Sequence, residues 1–203
     1  MATQAARTDR REAATTDLLD AAERLLISTG HAGLTTRRVA AEAGVNHGLV
    51  HYYFGSMEEL LLQVLERFSG RLTERQRQMY EADAPFIEKW RTAMRWLDED
   101  IRGGYPKVWG ELQAMAWNHP EMRARLSAVD AEWRGVVGPA IDAAIEEYGL
   151  DRKAFPLEAL TALVFTFNRG VQFEQLAGIT TGHAELLAWI DNWLEGLEEA
   201  RAE

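Results

Sequence analysis

Apolar residues recur at three- and four-residue spacing along nearly the whole chain, and no stretch alternates as a strand would. Leu18, Leu19, Ala22, Leu25 and Leu26 mark one face of a first helix that ends near Gly30. Asp9-x-x-Glu12 is spaced as a capping box at its start. From Thr35 to Phe54 the pattern predicts two short helices hinged at Gly44, where a positive φ ends a helix without a Cβ clash. Thr35 or Thr36 offers a capping oxygen to the first, whose buried stripe is Val39, Ala40 and Ala43. Asn46 can cap the second, in which Val50 and Phe54 face inward at i and i+4. His47, Leu49, His51 and part of Tyr52 then point outward. Two short helices with an aromatic and imidazole outer face have the form of a helix–turn–helix DNA reader.

Beyond Gly55, Ser56 to Glu59 is spaced as a second capping box. It opens a helix with Leu60, Leu61, Val64, Leu65 and Phe68 as its stripe, reaching about Tyr80 and more than about 30 Å long. Pro85 suits the first turn of the next helix, which carries Phe86, Trp90, Ala93, Met94 and Leu97 and stops at Gly103-Gly104. Another opens at Tyr105-Pro106 with Val108, Leu112, Met115 and Ala116. A long helix from Pro120 to Tyr148 is expected to kink at Gly138-Pro139. Two strongly apolar helices close the chain, about 156–176 (Leu157, Leu160, Val164, Phe167, Val171) and about 183–200 (Leu186, Leu187, Ile190, Trp193, Leu194, Leu197). Both are more apolar than a surface helix requires, which points to a partner covering them.

The fold class is therefore all-α: an N-terminal three-helix head followed by a larger helical body. The expected division is 1–8 as a mobile tail, 9–55 as the helix–turn–helix domain, and 56–203 as the body. With 203 residues, 47% of them hydrophobic, the chain can bury a substantial core. The lack of cysteine excludes disulfides, thiolate-bound zinc and thiol catalysis, and is compatible with a reducing cytoplasm. No apolar run approaches a membrane span.

The net charge of −10 argues against indiscriminate nucleic-acid binding, but it is unevenly placed. Up to Ser56, the arginines at 7, 10, 11, 24, 37 and 38 balance the acids at 9, 12, 17, 20, 23 and 42. The whole deficit follows. A neutral head on an acidic body suits a protein that meets phosphate at one end. The head has no lysine, so its non-specific affinity should be modest and salt-sensitive. His47 and His51 also have metal-ligand spacing on a helix, but no third ligand stands nearby in the sequence, and no metal or cofactor is expected.

The run Leu34-Thr35-Thr36-Arg37-Arg38-Val39-Ala40, continued by Ala43-Gly44-Val45-Asn46, Gly48, Val50, Tyr52-Tyr53-Phe54, Ser56 and Glu58-Glu59-Leu60, resembles the TetR family of bacterial transcriptional regulators. The likeness is closest over residues 9–68. It implies a ligand-responsive, DNA-binding regulator, with the last two helices of each subunit forming a four-helix bundle in a homodimer. It further implies a repressor, released from a near-palindromic double-stranded DNA operator by a small, largely apolar effector. The DNA contacts it implies are Thr35, Thr36, Arg37, Asn46, His47, Gly48, Leu49, His51, Tyr52 and Tyr53. Met57 and His47 stand where lysines are common in the family, and Leu49 replaces a common polar residue.

The body holds much aromatic and methionine bulk, for which ordinary core is the plain explanation residue by residue. Taken together it suits a pocket, and Trp90, Met94, Trp109, Met115 and Phe165 are the candidate apolar wall, with Asn168 as a polar group to orient an effector. Two rival functions are a helical ligand- or protein-binding module without DNA binding, and an enzyme. The sequence holds no Ser-His-Asp, paired-carboxylate or glycine-rich phosphate signature in proper context.

Overall fold

The computed structural model describes residues 2–202, and side chains for 11–201. Among them no strand occurs. The elements are α1 (Ala2–Thr29), a 3-10 turn (His31–Gly33), α2 (Thr36–Glu42), α3 (Gly48–Phe54), α4 (Met57–Glu81), α5 (Phe86–Arg102), α6 (Tyr105–Ala116), α7 (Pro120–Glu147), α8 (Leu157–Leu176) and α9 (His183–Ala202). No helix among the described residues is long and apolar enough to cross a membrane.

The start of α1 corrects one expectation. Residues 2–8 are helical rather than a tail, and the helix is already under way at Asp9, whose side chain, and with it the expected capping box, lies outside the described ones. Ala2, Ala5 and Ala6 are strong helix formers and carry the helix back past the expected start. At the far end of α7, the chain runs helically through Pro139 as one element.

The chain forms two compact units, and neither boundary falls at residue 55. The first comprises Met1–Gly70 with Lys107–Ser127, and the second Arg71–Pro106 with Ala128–Glu203. The expected head therefore gains the first half of α4, most of α6 and the start of α7.

In the first unit, Leu18, Leu26, Val39, Val50, Leu60, Leu61, Leu65, Val108 and Leu112 are completely or almost completely buried. The short helix α2 packs on α1, and α3 on α2. A seven-residue helix cannot hold itself together in water, so α2 and α3 depend on that packing. Polar ties supplement it. Arg67 pairs with Asp20 at 2.7 Å and Glu23 at 3.0 Å, and Lys107 donates to the Ile27 carbonyl at 2.9 Å, near the end of α1. Arg125 on α7 reaches Glu59 at 2.9 Å and Glu66 at 2.5 Å, two turns of α4 at once.

In the second unit the central cluster is Val137, Ile141 and Ile145, against which Tyr80, Trp133, Leu157, Leu160, Val164 and Phe165 pack. Arg75 Nη2 lies 2.9 and 2.7 Å from the two oxygens of Asp100. Burial nonetheless holds the Asp100 carboxyl above its usual range, outweighing the guanidinium. Burial also pushes the Tyr80 phenol up to about 12. Gly70 is an exposed glycine inside α4, with nothing within 4 Å of where a Cβ would stand.

Candidate nucleic-acid interface and helical cavity

The reading unit is built from its turn outward. Val45 N–H donates to the Ala40 carbonyl at 2.9 Å and Gly44 N–H to Ala41 at 3.2 Å, the paired bonds that close a helix on a left-handed residue. Gly44 has φ +68, as the sequence predicts. Thr35, not Thr36, caps α2, its hydroxyl accepting from Arg38 N–H at 3.2 Å. The Arg38 guanidinium turns back to the Gly33 carbonyl at 2.6 Å, which leaves Arg37 as the exposed arginine beside it that makes no such tie. Asn46 Oδ1 accepts from Gly48 N–H at 2.9 Å at the start of α3.

Val50 and Phe54 are buried and fix which face of α3 looks out. Asn46, His47, Gly48, His51 and Tyr52 are exposed, and His47, Gly48, His51 and Tyr52 fall at i, i+1, i+4 and i+5, one face of the helix. Tyr52 is the most open, at 75%. Leu49 departs from the expectation: it is half-buried, and so is Tyr53, four residues on along the same flank. The Tyr52 and Tyr53 rings meet edge to face at 5.0 Å. His51 Nδ1 lies 3.0 Å from the Gly55 carbonyl, an acceptor only, so Nδ1 carries the proton and Nε2 is the free nitrogen. Among the described residues no group of three metal-ligating side chains gathers here or elsewhere.

Ser56 caps α4 by accepting from Glu59 N–H at 3.0 Å. The reciprocal half of that box is not made by Glu59, whose carboxylate binds Gln63 at 2.8 Å and Arg125 at 2.9 Å. Glu58 stands beside the cap instead: its own backbone N–H and the Ser56 hydroxyl hold its carboxyl below the usual range.

The six candidate effector residues are divided between the two units. Trp109 and Met115 belong to the first unit, where Trp109 is buried and donates Nε1–H to Gln113 at 2.7 Å. Phe165 packs against the Val137, Ile141 and Ile145 cluster without lining the cavity, and the Arg134 guanidinium lies 4.3 Å over its ring. Met94 is half-buried on α5, and Asn168 has a buried Oδ1 with no hydrogen-bond partner. Of the six, Trp90 alone lines the cavity of the second unit, a partly open space of about 450 Å³ among α5, α7, α8 and α9. Its wall is Phe86, Trp90, Tyr148, Phe155, Phe167, Trp189 and Trp193 together with aliphatic residues such as Ile141, Leu160, Leu163 and Leu194. Tyr148 donates to Glu198 at 3.0 Å, and burial and that carboxylate push its phenol well above the usual range. Most of this wall was missed because its residues sit on stripes that sequence periodicity assigns to core or to a partner.

On the outside of the same unit, Leu163, Phe173 and Leu176 of α8, Ile179 of the following loop, and Leu186, Trp189 and Trp193 of α9 are exposed. So many large apolar groups on two adjoining helices exceed what an isolated surface needs.

Residues 18–64 match the family described as bacterial regulatory proteins, tetR family. The chain is 34% identical over 113 residues, 55% of its length, to the HTH-type transcriptional repressor Rv3405c of Mycobacterium tuberculosis. The curated relatives it matches are covered over 28% to 58% of their own length. In fold it is similar to a transcriptional regulator from Saccharomonospora viridis in complex with choline, at TM-score 0.72 and 19% identity, covering 88% of this chain and 93% of that one. It is also similar to the transcriptional regulator FadR from Bacillus subtilis in complex with stearoyl-CoA, at TM-score 0.69 and 17% identity, covering 90% and 96%. At such identities the likeness is one of fold. These relatives and neighbours are regulators of transcription rather than enzymes.

Proposed function

We propose that this chain, a member of the tetR family of bacterial regulatory proteins by its residues 18–64, binds an operator as a homodimer and releases it when a small apolar molecule occupies the body. The observation that carries the reading is the outer face of α3: exposed His47, Gly48, His51 and Tyr52 over the buried anchors Val50 and Phe54. In this reading Gly48 lets the backbone approach the groove, and His47 and His51 reach base edges. Thr36, Arg37, Tyr52 and Tyr53 contact phosphate. Thr35 and Asn46 hold the two helix starts, and Leu49, being half-buried, sets the pitch of α3 more than it reads bases.

The exposed apolar face of α8 and α9 supports dimerisation through those helices, which sets two heads for successive major grooves about 34–36 Å apart on a near-palindrome. Repression, release by an effector, and a cytoplasmic location belong to the same proposal. Two fold neighbours carry ligands as unlike as choline and stearoyl-CoA, so the fold leaves effector chemistry open and the cavity's own wall must decide it. For clean release the effector must favour the wrongly spaced state by several kcal/mol, about 5.5 for a 1:99 to 99:1 shift.

The decisive experiment selects genomic fragments on the purified chain and maps the protected sequence. Recovery of a near-palindrome supports the proposal; no binding to any fragment at low salt would sink it and favour a helical binding module.

A further inference from the structure

The chain that forms the apolar cavity does not close it. We propose that a second copy of this chain completes the cavity, so that an uncharged, largely apolar guest and dimerisation each strengthen the other. The inference rests on the reading of α8 and α9 as the dimer face. It is carried by residues that belong to both surfaces. Leu163, Leu186, Trp189 and Trp193 line the cavity and are also exposed on the outside, Leu163 at 63% and Trp189 at 66%. A wall so open cannot keep water from an apolar guest, and the guest would leave part of its own surface wet.

A second copy laid over these helices covers the gap. It is favoured over an unrelated partner because the apolar face runs on past the cavity mouth, through Phe173, Leu176 and Ile179. Along α8 the small exposed positions Ala159, Thr166 and Gly170 stand at helical spacing beside the large Leu163 and Phe173. Under a two-fold axis the large groups of one copy meet the small positions of the other.

The guest's chemistry follows from what is already committed around the wall. Arg91 is held by Asp191, at 2.8 and 2.9 Å, and by Glu195. The Tyr148 hydroxyl is held by Glu198. An anionic group would have to break these bonds, and any charge would lose its hydration among aromatic rings.

The test uses N-phenyl-1-naphthylamine, an uncharged dye that brightens in apolar surroundings. It is titrated into the full chain while sedimentation velocity reports the dimer in the same samples. Dimerisation should strengthen dye binding at each cavity about tenfold or more, and because the dimer carries two such cavities, saturating dye should lower the dimer dissociation constant by the square of that factor. Thr166→Arg, on the exposed face but outside the cavity, should give a folded monomer that binds the dye weaker by that factor. Ala144→Phe and, independently, Leu160→Phe should fill the cavity and remove dye binding from a dimer that persists.

A monomeric Thr166→Arg with wild-type dye affinity would show a cavity complete in one chain. A dye that leaves the wild-type dimer constant unchanged, or that splits the dimer, would equally overturn the inference. That measurement needs no variant, so misfolding of both filled variants leaves the question decided. Wild-type protein that stays monomeric at every concentration removes the dimer reading itself, which distinguishes the two failures.

Discussion

Phe54→Ala is expected to cost about 3–5 kcal/mol of folding stability and to abolish operator binding under conditions where the protein remains folded. Phe54 is 6% exposed and closes α3. Removing the ring leaves a cavity in the first unit's core and takes away one of the two buried anchors of a seven-residue helix. Such a helix has no stability of its own to fall back on. The partner measurement is Tyr52→Ala, on the next residue but 75% exposed. It should change stability by less than about 0.5 kcal/mol, as surface substitutions do, while weakening operator binding for all sequences alike. Urea unfolding and a mobility-shift titration on both variants check the pair. Wild-type stability in Phe54→Ala, or unfolding in Tyr52→Ala, would reverse the assignment of faces on α3.

Thr166→Arg should weaken operator binding by about 10²–10⁴-fold with helical content unchanged. Thr166 is exposed at the middle of the α8 face and does not line the cavity. A guanidinium there would be buried without a partner against a second copy, a cost large enough to separate the subunits. The loss comes from avidity alone: each head keeps its contacts, but the second no longer binds as an intramolecular event. Sedimentation and a mobility shift on the same preparation are the measurement. A variant that is monomeric yet binds the operator normally would mean that the heads act singly. One that remains dimeric would place the interface elsewhere.

How far the sequence carries the reader differs between the two sites. The turn at Gly44, the cap at Asn46 and the buried pair Val50 and Phe54 were legible because they are local: each depends on residues within one or two turns. Helix positions after Ser56 were legible for the same reason. What a stripe packs against was not. Met115 lies on the expected stripe of α6 and is half-buried, while Trp109 beside that stripe is buried, and the pattern does not say that Trp109 packs in the first unit rather than around a ligand. Likewise Trp189 and Trp193 flank the inner stripe of α9, and a stripe broad enough for a partner is also broad enough for a cavity wall. That Leu49 is half-covered is not legible in the pattern, because a one-residue rotation of a two-turn helix decides whether a flank is open or half-covered.

Gly70 has a mechanical consequence. It is the last residue of the first unit's leading segment, an exposed position in the interior of α4, which continues into the second unit at Arg71, as α7 does at Ala128. Nothing packs where its side chain would be. A glycine there costs the helix about 1 kcal/mol relative to alanine, so that turn opens roughly fivefold more often than an alanine turn would. On its first stretch α4 is braced by Arg125 across two turns, at Glu59 and Glu66. The rod is therefore stiff where it holds the reading unit and has a compliant joint just beyond the brace. Amide hydrogen exchange along α4 should rise around Gly70, which would place the joint one turn past the clamp.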